Sequence, residues 1–174
     1  PTLMERQLDP AAGYLLQKAV EERGIKVISN AGGINPQACA AAMQAACDRA
    51  GVDLTIAVFT GDDLRPQLHT LKAQGLLDMF SGEPLPPQCL SANAYLGAPG
   101  IVAALQQGAD IIITGRIVDS ALVSGPLIHE FGWAWDDYDR LAQAALAGHL
   151  IECGAQCTGG NFTDWRQVPD YEHI

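Results

Sequence analysis

Residues 108–119 read Gly108-Ala109-Asp110-Ile111-Ile112-Ile113-Thr114-Gly115-Arg116-Ile117-Val118-Asp119 and carry the strongest structural signal in the chain. The three consecutive isoleucines form a short apolar run of β-branched residues, which is typical of a strand buried on both faces of a parallel sheet. A glycine ends the run, and an arginine and an aspartate follow it. Ligands bind at that end of the strands in open α/β sheets. Arg116 and Asp119 therefore belong either to a binding site or to a structural ion pair that holds a turn.

Length and composition indicate a single globular domain over residues 1–174. The chain is 48% hydrophobic and 17% charged, which suits a protein that buries a core. Its net charge of −10 argues against binding to nucleic acid or to an anionic membrane surface. We find neither an apolar run that could span a bilayer nor a signal peptide. The five cysteines predict free thiols in a cytoplasmic protein, with Cys39 and Cys47 buried in a helix of small residues.

Helical and strand patterns alternate along the chain. Two further strands are predicted at about 25–30 and 54–59, beside the isoleucine strand at 110–114. This alternation is typical of an α/β fold with three layers, in which helices flank a mostly parallel, Rossmann-like sheet. Too few strands are present to close a barrel. Helices are predicted at about 10–23, 36–50, 64–74, 99–107, 120–130 and 136–153, and a loop at 154–165.

All three predicted strands end in glycine and polar residues, at 30–35, 60–63 and 114–119. Each segment alone matches an ordinary turn, because Gly, Asn and Asp are the usual turn residues. In a parallel sheet, however, the three ends lie at one edge. Their convergence predicts a pocket there.

Two of these segments contain specific candidates. Asn30-Ala31-Gly32-Gly33-Ile34-Asn35-Pro36 leads into a capped helix N-terminus, whose free N–H groups suit a phosphate or carboxylate. It lacks the dinucleotide and Walker glycine patterns. Asp62 and Asp63 suit a water-bridged magnesium ion or an acid–base pair. The alternative, which we favour slightly, is an aspartate that caps the next helix.

A third candidate group lies on the last predicted helix. His149, Glu152 and Cys153 are spaced i, i+3 and i+4 and share one face, and Cys157 follows in the predicted loop. A Cys–His pair can form a thiolate nucleophile, and one histidine with two cysteines can bind zinc. The paired Cys-x-x-Cys spacing of many zinc sites is missing, so no metal is predicted. A histidine in an Ala/Leu helix is also commonly structural.

Together these motifs resemble the acyclic terpene utilisation protein family, AtuA type. The resemblance covers nearly the whole chain in the same order. Family members are longer at both ends, and the chain starts at Pro1 and ends in a turn, so we expect an internal fragment of a longer core domain. The motifs that carry the resemblance are Asn30 to Pro36, Gly61-Asp62-Asp63, Ser91-Ala92-Asn93-Ala94-Tyr95-Leu96-Gly97-Ala98, Thr114 to Asp119, and Gly148 to Gly154 with Gly159 to Trp165.

The resemblance implies a bacterial cytoplasmic protein of citronellol or geraniol catabolism, a pathway that passes through acyl-CoA thioesters and a biotin-dependent carboxylase. It supplies no catalytic residues and no cofactor. Two hypotheses follow. One is an enzyme that acts on a branched acyl-CoA or hydroxy acid. The other is a non-catalytic subunit or scaffold of the carboxylase. Both hypotheses are compatible with a homo-oligomer.

The enzyme hypothesis assigns roles to two sets of residues. An anionic substrate would be bound by Asn30, Asn35 and Arg116. Protons would be moved by Asp62, Asp119 or Glu152. The complete candidate sets are Asn30, Gly32, Gly33, Asn35, Asn93, Arg116 and Asn161 for substrate binding, and Asp62, Asp119, His149 and Glu152 for catalysis.

Overall fold

A computed structural model describes Val20, residues 23–159 and residues 163–167. Most of the helix predicted at about 10–23 lies outside the described residues. None of the described helices has both the length and the apolar character needed to cross a membrane.

The centre of the fold is a parallel sheet of three strands, β1 (Val27–Ser29), β2 (Ile56–Phe59) and β3 (Ile111–Thr114). Their spatial order is β1-β3-β2, so the isoleucine strand lies in the middle and pairs in parallel with both neighbours. The residues of β3 are at most 1% exposed. The predicted parallel sheet and its buried central strand are confirmed, although β1 and β2 are each shorter than predicted.

Two apolar cores lie on opposite faces of the sheet because successive side chains of a strand alternate between faces. On one face, Ile111 and Ile113 pack against α1 (Pro36–Ala50). The ends of α1 are as predicted: the Asn35 side chain accepts from the Ala38 N–H, and Gly51 adopts a left-handed conformation with φ of 68°. Cys39 and Cys47 are buried on this helix, as expected.

On the other face, Ile112 packs among residues of α3 (Pro99–Gln106) and α4 (Ala121–Phe131). The helix α5 (Tyr138–Cys153) packs against α4, and Asp137 caps it by accepting from the Arg140 N–H. Helices therefore cover both faces of the sheet, which confirms the predicted three-layer α/β fold.

Two predictions need correction. The helix predicted at 64–74 forms as a 3-10 turn (Arg65–Gln67) followed by the short helix α2 (Leu68–Ala73), since tight turns with a proline commonly start a helix. The loop predicted at 154–165 instead begins with the 3-10 helix Gly154–Thr158. Within it, the Thr158 hydroxyl donates to the Ala155 carbonyl. The content of glycine and threonine, from which the loop was predicted, does not indicate this local hydrogen bond.

Candidate functional site

The loops that follow the three strands meet at the C-terminal edge of the sheet. The Asn30 side chain, after β1, donates to the Asp119 carboxylate at 3.0 Å. The Gly115 N–H, after β3, donates to the carbonyl of Phe59 at the end of β2. Gly32 lies so close to the Thr114 carbonyl that a β-carbon there would clash. The prediction that these turns share one edge is confirmed.

Asp62 is the buried charge of this edge. Its side chain is 3% exposed, and Oδ2 accepts from the Asn93 side chain at 2.8 Å and from the Arg116 N–H at 3.0 Å. Oδ1 accepts no hydrogen bond from a described residue, and it lies against Gly115, where a β-carbon would clash with it. The carboxylate is therefore fixed through Oδ2.

The interpretation of an aspartate as the cap of the next helix is wrong, because Leu64 stands at the N-cap of the 3-10 turn and no side-chain hydrogen bond caps that turn from this position. Asp63 accepts from the Arg65 N–H at 3.0 Å and binds the Arg65 guanidinium through both of its oxygens. The side-chain hydrogen bond from Arg65 lowers the pKa of Asp63 below its usual value. Asp62 and Asp63 thus take different partners, and Asp63 organises the turn that precedes α2.

The structural ion pair between Arg116 and Asp119 is also wrong. Asp119 bonds with Asn30 instead, and within residues 23–159 no carboxylate forms an ion pair with Arg116. The Arg116 main chain is fixed, because its N–H donates to Asp62 and its carbonyl accepts from the Leu96 N–H. An exposed guanidinium therefore projects from a rigid backbone at the edge.

The glycine-rich loop after β1 is built mainly to turn the chain. Gly33 has a φ of 52°, which favours glycine. Gly32 allows the close approach to β3, and the Asn35 side-chain oxygen is used by the cap of α1. These contacts give Gly32, Gly33 and Asn35 structural roles at the edge, and their predicted contacts with substrate stay a prediction.

The segment of residues 91–97 forms a larger part of this edge than its sequence suggested. Residues 91–97 cross the edge and form backbone hydrogen bonds with the loops after β2 and β3. The Leu64 N–H donates to the Ala92 carbonyl, and the Ala94 N–H donates to the Asp62 carbonyl. The Leu96 N–H donates to the Arg116 carbonyl. The Asn93 side chain holds Asp62 from this segment. A shallow depression opens beside it, lined by Ile34, Asp63, Arg65, Leu90, Ser91 and Asn93.

The group on α5 forms as predicted. The Cys153 thiol donates to Glu152 Oε2 at 2.9 Å, and both ring nitrogens of His149 lie 3.8 Å from Cys153 Sγ. The hydrogen bond to Glu152 raises the pKa of Cys153 to about 11. A thiolate nucleophile at Cys153 is therefore not supported, because the thiol stays protonated at neutral pH.

The α5 group lies beside the sheet edge but is not bonded to it. Gly148 packs against the residue after Asp119, and a β-carbon on it would lie 2.6 Å from the Ser120 carbonyl oxygen. In the part of the chain that the structure describes, no hydrogen bond or ion pair joins His149 or Glu152 to Asp62 or Asp119. Asn161 lies outside the described residues.

A protein-family model described as "Acyclic terpene utilisation family protein AtuA" matches residues 3–174. No curated protein and no solved structure matches the chain.

Proposed function

Because the chain belongs to the acyclic terpene utilisation family AtuA, we propose that it is an enzyme of acyclic terpene catabolism. In this proposal it acts on a branched acyl-CoA or the corresponding hydroxy acid, at the C-terminal edge of the parallel sheet. The observation that carries the proposal is a buried carboxylate, Asp62, next to the fixed backbone of Arg116, whose guanidinium has no acidic partner among residues 23–159.

Asp62 supports a role in proton transfer. Its Oδ2 is held by two neutral donors, and Oδ1 accepts no hydrogen bond from a described residue. A positioned carboxylate with a free oxygen can accept a proton from a substrate carbon or hydroxyl. Such general-base catalysis typically contributes about 10²- to 10⁴-fold in rate.

Arg116 supports the binding of an anionic substrate. Coenzyme A carries phosphates and a hydroxy acid carries a carboxylate, and the planar guanidinium binds either group through two parallel hydrogen bonds. Since the Arg116 N–H contacts Asp62, an anion on the guanidinium keeps the rest of the substrate close to that carboxylate. Because the overall charge is −10, an arginine without an acidic partner among residues 23–159 is a specific attraction for an anion rather than part of a basic surface.

The remaining candidates take secondary roles in the proposal. Asp119, held by Asn30 at the same edge, is better placed for a second proton transfer than His149 and Glu152, which lie on α5. Asn93 is a positioning residue because it acts through Asp62.

The test starts from a strain that lacks the gene and is fed citronellol, because the intermediate that accumulates identifies the substrate. The purified full-length protein should then convert that intermediate. We expect Asp62→Asn to lower turnover by about 100-fold or more. Asp63→Asn, whose carboxylate binds Arg65, is the matched control and should keep most of the activity. Full activity of a folded Asp62→Asn protein would overturn the proposed role.

A second candidate function is a non-catalytic subunit of the pathway's biotin-dependent carboxylase. The observation that favours it is the apolar outer surface of α5, where Leu146, Leu150 and Ile151 are 61%, 50% and 68% exposed. Co-purification distinguishes the two functions. A stable stoichiometric complex with the carboxylase, together with no turnover of any pathway thioester, would favour the subunit.

A further inference from the structure

The surface group at the end of α5 brings together three side chains of types that commonly bind metal ions. His149, Cys153 and Cys157 each offer one ligand atom, and these three atoms lie within 4.8 Å of one another. We propose that the imidazole of His149 and the thiolates of Cys153 and Cys157 bind one zinc ion, which displaces the thiol protons of both cysteines to solvent. The inference concerns these side chains alone and is independent of the proposed reaction at Asp62.

The distances suit zinc. With zinc–sulfur bonds of about 2.3 Å and zinc–nitrogen bonds of about 2.0 Å, tetrahedral geometry places sulfur about 3.5 Å from nitrogen and about 3.8 Å from a second sulfur. Cys153 Sγ already lies 3.8 Å from the ring nitrogens of His149. The widest separation in the group needs to close by only about 1 Å, which rotation of exposed side chains provides.

The backbone brings the third ligand to the other two. His149 and Cys153 share one face of α5 by their spacing. Gly154 ends the helix with φ of 53° and ψ of −124°, so the chain turns and continues as the 3-10 helix Gly154–Thr158. This turn directs Cys157 back toward the start of the group, where its Sγ lies 4.0 Å from the His149 carbonyl oxygen.

The chemistry of the donors selects the ion. Thiolate and imidazole ligands favour zinc over magnesium or calcium, which require oxygen ligands. Two thiolates balance the double positive charge of zinc. Three protein ligands leave a fourth position for water or for the Glu152 carboxylate, which accepts a hydrogen bond from the Cys153 thiol before zinc displaces that proton. His149 and Cys157 are exposed, so the ion can enter without unfolding of the chain.

The proposal is tested on the full chain, kept reduced and stripped with a chelator, by zinc titration against a chromophoric zinc indicator. We expect one zinc per chain. The variants Cys153→Ser, Cys157→Ser and His149→Gln should each weaken binding by more than about 100-fold, because even outer-shell partners of ligands are worth about 10- to 100-fold. Cys89→Ser, a cysteine outside the group, should bind as the parent chain does. Undiminished binding in any of the three variants would overturn the site.

A second measurement on the unmodified chain removes any dependence on the folding of variants. Zinc should slow alkylation of Cys153 and Cys157 and leave the rate at Cys89 unchanged. Cobalt in place of zinc should give a thiolate-to-metal charge-transfer band. Equal alkylation with and without zinc, or cobalt binding without that band, would overturn the proposal, as would a Cys153–Cys157 disulfide that resists reduction.

Discussion

The carboxylate of Asp62 occupies the space that a side chain at Gly115 would need. A β-carbon on Gly115 would clash with all three carboxyl atoms of Asp62. Because Asp62 is held by Asn93 and by the Arg116 N–H, it cannot move aside without losing hydrogen bonds. Glycine at the end of β3 therefore allows a buried charge to sit directly against the central strand.

Gly115→Ala should destabilise the protein by about 1–3 kcal/mol, the usual cost of overpacking a filled site. Urea unfolding measures the change. Gly97→Ala is the matched control, since a β-carbon there meets its nearest neighbour at an ordinary 3.5 Å. The control should stay within about 0.5 kcal/mol of the parent chain. Equal stability of the two variants would contradict the close contact between Gly115 and Asp62.

Arg116→Lys should leave the free energy of unfolding nearly unchanged, because the guanidinium is exposed and forms no ion pair within the described part of the chain. If Arg116 binds a carboxylate or phosphate, lysine cannot reproduce the two parallel hydrogen bonds. The full-length variant should then fold normally and fail to support growth on citronellol. Arg49→Lys, on the exposed end of α1, is the control and should support growth. Normal growth of both variants would remove Arg116 from the site.

Asp110 should make stability depend on pH. Its carboxylate accepts from Lys26 at 2.8 Å and from the Thr55 N–H at 2.9 Å, and the hydrogen bond from Lys26 is the main cause of a lowered pKa. The unfolded chain therefore takes up this proton at higher pH than the folded chain does. The stabilisation is complete above the ordinary aspartate pKa of about 3.9 and is lost as the pH falls through the lower folded value.

The comparison that tests this dependence is unfolding of the parent chain and of Asp110→Asn at several pH values. We expect a loss on the order of 1 kcal/mol at neutral pH, since the pair with Lys26 is partly exposed. The difference should shrink below about pH 4. Asp53→Asn, an exposed aspartate, serves as control. A difference that grows toward acid pH would contradict the assignment.

Thiol counting should find five free thiols per chain in denaturant without reductant. In the folded, chelator-treated protein, Cys157 should be alkylated first because it is exposed. Cys39 and Cys47 should react only after unfolding, and burial also raises the pKa of Cys47. A missing pair of thiols would indicate a disulfide and would contradict a reduced protein.

Local sequence signals determined most of the fold. The isoleucine run predicts a strand buried on both faces because continuous runs of β-branched apolar residues are typical of the interior of a parallel sheet. The bounds of α1 follow from Asn35 and Pro36 at its start and from Gly51 at its end. These residues set helix ends through local effects, which are side-chain capping, a fixed φ and a left-handed backbone conformation. Parallel strands then require their polar ends to meet at one edge, so the location of the candidate site was also predictable.

The pairings inside that site were decided only by the tertiary structure. The Asn93 side chain donates a hydrogen bond to Asp62, which lies 31 residues away in the sequence. The Asn30 side chain donates to Asp119, which lies 89 residues away. Sequence proximity suggested a pair between Arg116 and Asp119, but the turn after β3 directs these side chains to different surroundings. Likewise, the backbone angles at Gly154 bring Cys157 to His149. Local propensity fixes where helices and strands begin and end, whereas the partner of a polar side chain depends on which distant loops the packed core brings together.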